Sequence, residues 1–256
     1  MTALLHHYKS GSGKPLVLLH GFLESSRMWE NLSIPNGVES ISIDLPGHGQ
    51  SIEVSSAESM EEMARCVIDL IDEFGVPSYD VIGHSMGGYV ALCLSSLDPR
   101  CAKVMLLNSN FWCDSAAKIN DRKRVAEVVQ TKLSHFIYEV VPNLFIDPEI
   151  HDQEVRCLIK DALKMTPNAV AASSIAMSKR KDLKSIIEGN PDRYTIVQGI
   201  HDPIVDVNRM RTEIQDLNVE YLELDNVGHM AHIEAPDAIN KCVREFLVPV
   251  VVKNPN

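Results

Sequence analysis

Residues 78–98, SYDVIGHSMGGYVALCLSSLD, constrain this chain more than any other stretch. The segment to Ser85 reads as a buried strand, and the segment from Met86 reads as a helix. They are joined by Gly83-His84-Ser85-Met86-Gly87, a G-x-S-x-G pattern. A turn this sharp strains the serine backbone, and bulky side chains at either end would strike neighbouring backbone, so glycines belong at 83 and 87. It also lifts the Ser85 hydroxyl clear of the sheet, next to the partial positive charge of a helix N-terminus. A tight helix entry with an incidental serine would look similar, so the surrounding chain has to decide.

The neighbouring segments repeat the rhythm. Strands are expected at 14–22 (KPLVLLHGF), over Ile41–Leu45, and at 101–110 (CAKVMLLNSN). A short helix is expected over 24–32. Between the second and third strands, 59–76 spaces Met63, Val67, Leu70, Ile71 and Phe74 at the helical period, with Ser59 and Glu62 as an N-terminal cap and Gly75 as a C-terminal one. From Phe111 to Glu188 the patterning is helical throughout, with no convincing strand. Alternation resumes with strands at 192–202 and 219–229 and helices near 208–216 and 235–248. These features predict an α/β fold: a mostly parallel central sheet with helices on both faces. The core would comprise residues 1–110 and 189–256, and residues 111–188 would be an inserted helical cap. The closing VVKNPN reads as a frayed tail.

With 256 residues and 45% hydrophobic content, the chain can bury one large core. A net charge of −11 argues against nucleic acid or an anionic membrane as partner. No apolar run approaches the ~18 residues of a membrane span, and the N-terminus carries no export-signal pattern. Six scattered cysteines without metal-ligand spacing suit a reducing compartment. A cytoplasmic protein is expected, while its oligomeric state is not legible.

A neutral serine is a weak nucleophile and needs a base, which in turn needs an orienting carboxylate. VQGIHDPIV places Asp202 just after a strand, and LDNVGHMAHIEAP places His229 between the last strand and the last helix. Both lie at carboxyl ends of strands, where open parallel sheets bind ligands. Asp206, Asp225 and Asp114 rival Asp202, and His232 rivals His229. An oxyanion would need donors, and the backbone N–H groups of Phe22 and Met86 are placed to supply them. His20 and His48 read as loop stabilisers. His84, Phe111, Trp112, Val205 and Met230 are expected in the substrate pocket wall. The run DRKR (121–124) reads as a solvated helix face, with a substrate carboxylate as its alternative partner. GSGK (11–14) fails as a phosphate loop because Tyr8 and Pro15 stand at two of its key positions. Neither His6-His7 nor His229/His232 has convergent ligands, so no metal and no cofactor are expected.

Taken together, LLHGF, DLPGHGQS, GHSMGGYVAL, GIHDPIV and VGHMAHIEAP resemble, in order, the α/β-hydrolase superfamily, in its branch of small esterases, enol-lactonases and thioesterase-like hydrolases. The resemblance spans the chain apart from the insertion, which it makes a lid. It implies the order nucleophile, acid, base, which favours Ser85, Asp202 and His229. The expected activity is hydrolysis of a small-molecule ester through an acyl-enzyme. Carbon–carbon bond hydrolysis, a lyase reaction, or a hormone-receptor-like role with vestigial turnover stay open.

Overall fold

The computed structural model describes residues 4–52 and 57–247. The expected tail at 251–256 and the last residue of the 235–248 helix lie outside them. Among these residues seven strands form one sheet: β1 (His7–Gly11), β2 (Lys14–Leu19), β3 (Val38–Ile43), β4 (Tyr79–His84), β5 (Cys101–Leu107), β6 (Tyr194–Gly199) and β7 (Glu220–Leu224). Their spatial order is β1-β3-β2-β4-β5-β6-β7, and every pair is parallel except β1–β3.

The strand β1 was not expected from sequence. It is an edge strand whose residues are largely exposed, so it carries no apolar alternation to announce it. The central strands are buried on both faces. Along β2, Val17 and Leu19 join one core cluster while Leu16 and Leu18 join the other, as the two-residue period of a strand requires.

The helices are α1 (Met60–Glu73), α2 (Met86–Leu97), α3 (Ala116–Val140), α4 (Asp152–Ala162), α5 (Pro167–Ser178), α6 (Lys184–Gly189), α7 (Val207–Ile214), α8 (Ala231–Glu234) and α9 (Pro236–Leu247). The expected helix at 24–32 is a single 3-10 turn, Ser26–Trp29. Ser59 Oγ accepts the Glu62 N–H at 3.2 Å and opens α1, while the Glu62 carboxylate accepts the N–H of Glu58 rather than that of Ser59. Gly75 follows α1 at φ +60°. One face of the sheet packs on α1 and α2, through residues such as Met63, Val67 and Val90. The other packs on α9 through Ile239, Val243 and Phe246.

Between β5 and β6 the chain holds α3 to α6 and two short 3-10 turns, Pro142–Leu144 and Pro191–Arg193, and no strand among the described residues. Helix α3 is kinked at Lys132 (φ −135°). Its buried residues Val129 and Ile137 pack with Val155, Ile159 and Val170 of α4 and α5, and this cluster reaches the sheet's loops at Leu23 and Met230. The inserted helices therefore rest on the loops at the carboxyl ends of the strands. No helix among the described residues is long and apolar enough to cross a membrane.

Candidate active site

The turn between β4 and α2 holds Ser85 at φ +50°, ψ −115°. Such a conformation costs a non-glycine residue roughly 1–3 kcal/mol and persists only when its surroundings enforce it. Here they do. Ser85 N–H donates to Leu107 O (3.0 Å), and Ser85 O accepts from Gly88 N–H (3.0 Å) and Ser109 Oγ (2.7 Å). The two glycines are sterically required: a Cβ on Gly83 would sit 2.3 Å from Gly87 O, and one on Gly87 would sit 2.4 Å from Leu19 O.

Ser85 Oγ lies 2.9 Å from His229 Nε2, and His229 Nδ1 lies 2.9 and 3.0 Å from the two oxygens of Asp202. The carboxylate can only accept, so Nδ1 carries the proton and Nε2 is left to accept from the serine. Asp202 is held in turn by Ile204 N–H (2.7 Å), Val205 N–H (3.0 Å), Asn108 Nδ2 (2.9 Å) and Gln198 Nε2 (3.0 Å). Burial by itself would raise the Asp202 pKa. The adjacent His229 and these donors outweigh it and hold the carboxyl below its ordinary value. Asn108 also donates to Gly228 O (2.9 Å), tying the acid's loop to the base's loop.

The rival residues are occupied elsewhere. Asp206 caps α7 by accepting from Asn208 and Arg209 N–H. Asp114 pairs with Arg122 and Arg180, and Asp225 is exposed. His232 has no hydrogen-bond partner on either ring nitrogen among the described residues, and burial lowers its pKa to about 3. His20 and His48 hold loops: His20 Nε2 accepts Leu45 N–H, and His48 Nδ1 donates to Pro46 O.

Behind the serine, His84 Nδ1 is 3.0 Å from Glu24 Oε2 and His84 Nε2 is 2.9 Å from His229 O. Both neighbours are acceptors, so both ring nitrogens donate and the ring is an imidazolium. Burial opposes its charge, but Glu24 prevails and His84 is held above its usual pKa. The Glu24 carboxyl, which burial would raise, is drawn down to about 2 chiefly by His84. Glu24 Oε2 also accepts Gly21 N–H at 2.5 Å, so one carboxylate anchors the loop bearing Phe22. A second carboxylate, Glu234, accepts Gly228 N–H (3.0 Å) and Met230 N–H (3.2 Å) on either side of His229, and Ile146 N–H (2.9 Å) from the inserted segment.

The N–H groups of Phe22 and Met86 have no acceptor among the described residues; Met86 directly follows the serine, and Phe22 lines one cavity with it. A cavity of about 230 Å³ lies over Ser85 and His229, walled by Phe22, Val125, Phe136, Val140 and Leu144, with Arg122 and Lys118 on the side of α3. A larger cavity of about 420 Å³, beside Trp29, does not contain Ser85.

None of the five residues expected in the pocket wall lines the cavity over Ser85. His84 is fully buried against Glu24. Phe111 and Trp112 belong to the main core, because the chain turns inward after β5 before α3 begins, and Val205 joins the same core from the loop after β6. Met230 packs beneath the inserted helices. Sequence reasoning also missed Asn108, Gln198, Glu24 and Glu234. Only Asn108 and Gln198 had a signal, as polar residues at the ends of otherwise apolar strands. Among the described residues, no group of three or more His, Cys, Asp or Glu side chains gathers to hold a metal.

The model of the alpha/beta hydrolase family matches residues 16–241. The chain is 39% identical to a soluble epoxide hydrolase of Corynebacterium sp. (strain C12), over 96% of this chain and 94% of that protein. It is 28% identical, over 95% of its length, to the dihydrolipoyllysine-residue acetyltransferase component of the acetoin cleaving system of Pseudomonas putida, and it spans 66% of that protein. Among solved structures, a thermophilic esterase from Thermogutta terrifontis with malate bound superimposes with a TM-score of 0.87 at 26% identity, covering 95% of this chain and 92% of that one.

Proposed function

This chain belongs to the alpha/beta hydrolase family, and on that premise we propose that it is a serine esterase acting on a small-molecule carboxylic ester. The observation that carries the reading is the unbroken hydrogen-bonded line from Ser85 Oγ through His229 to Asp202, the one carboxylate among the described residues that pairs with His229. Ser85 Oγ bonds to the carbonyl carbon as its proton passes to His229 Nε2, and the carbonyl π pair moves onto oxygen. The N–H groups of Phe22 and Met86 receive that oxyanion. Collapse breaks the ester C–O bond, and His229 returns the proton to the departing alkoxide. Water then gives a proton to His229 and attacks the acyl carbon, releasing the acid as Ser85 regains its proton.

The nucleophile's identity separates this from the chemistry named for the epoxide hydrolase relative. A serine that opened an epoxide would be left as an ether, which water cannot readily release. An acyl-serine hydrolyses, so Ser85 favours acyl substrates, thioesters and enol-lactones included.

In this proposal residues 1–110 and 189–256 are the core and 111–188 the cap, which excludes bulk water from the oxyanion and selects the substrate. The six free thiols fit a reducing compartment such as the cytoplasm. The test is turnover of p-nitrophenyl esters of rising acyl length. Wild type should hydrolyse at least the short esters, and Ser85→Ala should lose on the order of 10³-fold or more in kcat/KM. Equal turnover by both proteins would overturn the reading.

A further inference from the structure

The cap side of the pocket carries unbalanced positive charge. Asp114 accepts Arg122 Nε at 2.6 Å with one oxygen and Arg180 Nη2 at 2.7 Å with the other. One carboxylate shared by two guanidinium groups leaves a net single positive charge, and the site is mostly shielded from water: the Arg122, Asp114 and Arg180 side chains are 13%, 3% and 6% exposed.

The two arginines are not equivalent. Arg180 is fully engaged, donating through Nε to Trp112 O (3.0 Å) and through Nη1 to Met177 O (3.2 Å) while lying 4.2 Å over the Tyr89 ring. With Asp114 before α3 and Arg180 after α5, that pair ties the start of α3 to the end of α5. The tie does not need Arg122. Arg122 commits only Nε to protein, and its two terminal nitrogens have no acceptor among the described residues. Arg122 lines the cavity that holds Ser85 and His229. Lys118, one turn earlier on α3, lines the same cavity at its exposed mouth, with no carboxylate among the described residues in ion-pair contact. Two carboxylates share the lining. Glu24 is already bound to His84 and Gly21, and Asp121 is exposed on the mouth.

We propose that the substrate of this pocket is an ester with a second, ionised carboxylate, which the terminal nitrogens of Arg122 receive while Ser85 faces the ester carbonyl. The proposal rests on reading Ser85 as the nucleophile. A planar guanidinium with two uncommitted nitrogens matches a carboxylate's two oxygens, and a shielded net charge strengthens the pairing. Lys118 then draws the anion toward the mouth over a longer range.

Two measurements test this. The first compares kcat/KM for p-nitrophenyl hydrogen glutarate with that for p-nitrophenyl valerate, a neutral ester of similar length. Wild type should prefer the glutarate by about 10- to 100-fold, as a charge-assisted contact warrants. Arg122→Gln should erase that preference by lowering kcat/KM for the glutarate by a larger factor than for the valerate. Arg122→Lys, which keeps a charge beside Asp114 but loses the fork, should retain part of the preference. Equal losses on both esters, or a wild type that favours valerate, would overturn the proposal.

The second needs no turnover: calorimetric binding of glutarate to Ser85→Ala, with and without Arg122→Gln. Arg122-dependent binding with neither ester hydrolysed would fault the esterase reading alone. Glutarate binding that is absent, or indifferent to Arg122, would fault the carboxylate site alone.

Discussion

Glu24 and His84 form a buried ion pair, with Oε2 3.0 Å from Nδ1, directly behind the serine turn. The pair joins three loops, since Glu24 also binds Gly21 N–H and His84 also donates to His229 O. Replacing one partner strands the other's charge in a dry site. Glu24→Gln is therefore expected to lose about 3 kcal/mol of stability. Urea denaturation of the two proteins at pH 6 checks this, and a change under 1 kcal/mol would show the pair to be dispensable.

The pH dependence of that loss has a definite shape. Glu24 titrates lower in the folded protein, at about 2 against an ordinary 4.5, so its contribution is complete above pH 4.5 and disappears as pH falls toward 2. His84 titrates higher than its ordinary 6.5, so its contribution is complete below pH 6.5 and disappears as pH rises through its folded value. The stability difference between wild type and Glu24→Gln should peak between pH 4.5 and 6.5 and shrink on either side. A difference that keeps growing above pH 8 would contradict the charged state assigned to His84.

Asp202→Asn preserves the shape of the acid but turns an acceptor into a donor toward Nδ1, leaving His229 in the wrong tautomer. The expected loss in kcat is roughly 10⁴-fold with the fold intact. Circular dichroism and steady-state kinetics on one preparation check both parts. A larger loss in Asp206→Asn or Asp114→Asn would reassign the acid.

Glu234 holds the amides on both sides of His229 and also that of Ile146. Glu234→Ala should lower kcat about tenfold on every ester and speed amide hydrogen exchange at residues 144–146. Glu234→Gln keeps one acceptor oxygen and should recover part of both. Unchanged exchange at that segment would mean the carboxylate does not couple the two loops.

Most of the fold was legible because the central strands are buried on both faces and read as continuous apolar runs, while α1 announces itself by spacing and caps. Ser85, Asp202 and His229 were legible because each sits at a strand end in a turn whose residues have few other uses. The pocket wall was not. Trp112 looks like a pocket aromatic in sequence, yet its ring lies in the core with the Arg209 guanidinium 4.4 Å over it. Which face α3 turns inward depends on packing against α5, which no local pattern encodes. That same packing turned Arg122 out of a run that reads as solvated and into the cavity.

It follows that Trp112→Ala should act on stability, costing about 3 kcal/mol or more as a large-to-small core change. Phe136→Ala, in the cavity wall, should instead shift the preference between short and long acyl esters. Thermal melts and kcat/KM across a chain-length series separate the two. A Trp112→Ala protein as stable as wild type but altered in selectivity would return Trp112 to the pocket.

The most direct measurement is covalent trapping of the nucleophile. Wild type, Ser85→Ala and Asp202→Asn are each treated with a p-nitrophenyl alkylphosphonate, p-nitrophenol release is followed, and the modified peptide is located by mass spectrometry. Wild type should release one equivalent of p-nitrophenol and carry the phosphonyl group on Ser85, Asp202→Asn should do so far more slowly, and Ser85→Ala should remain unlabelled. A label on any other residue of wild type, or stoichiometric release by Ser85→Ala, would contradict the assignment of Ser85 as the group that attacks the ester.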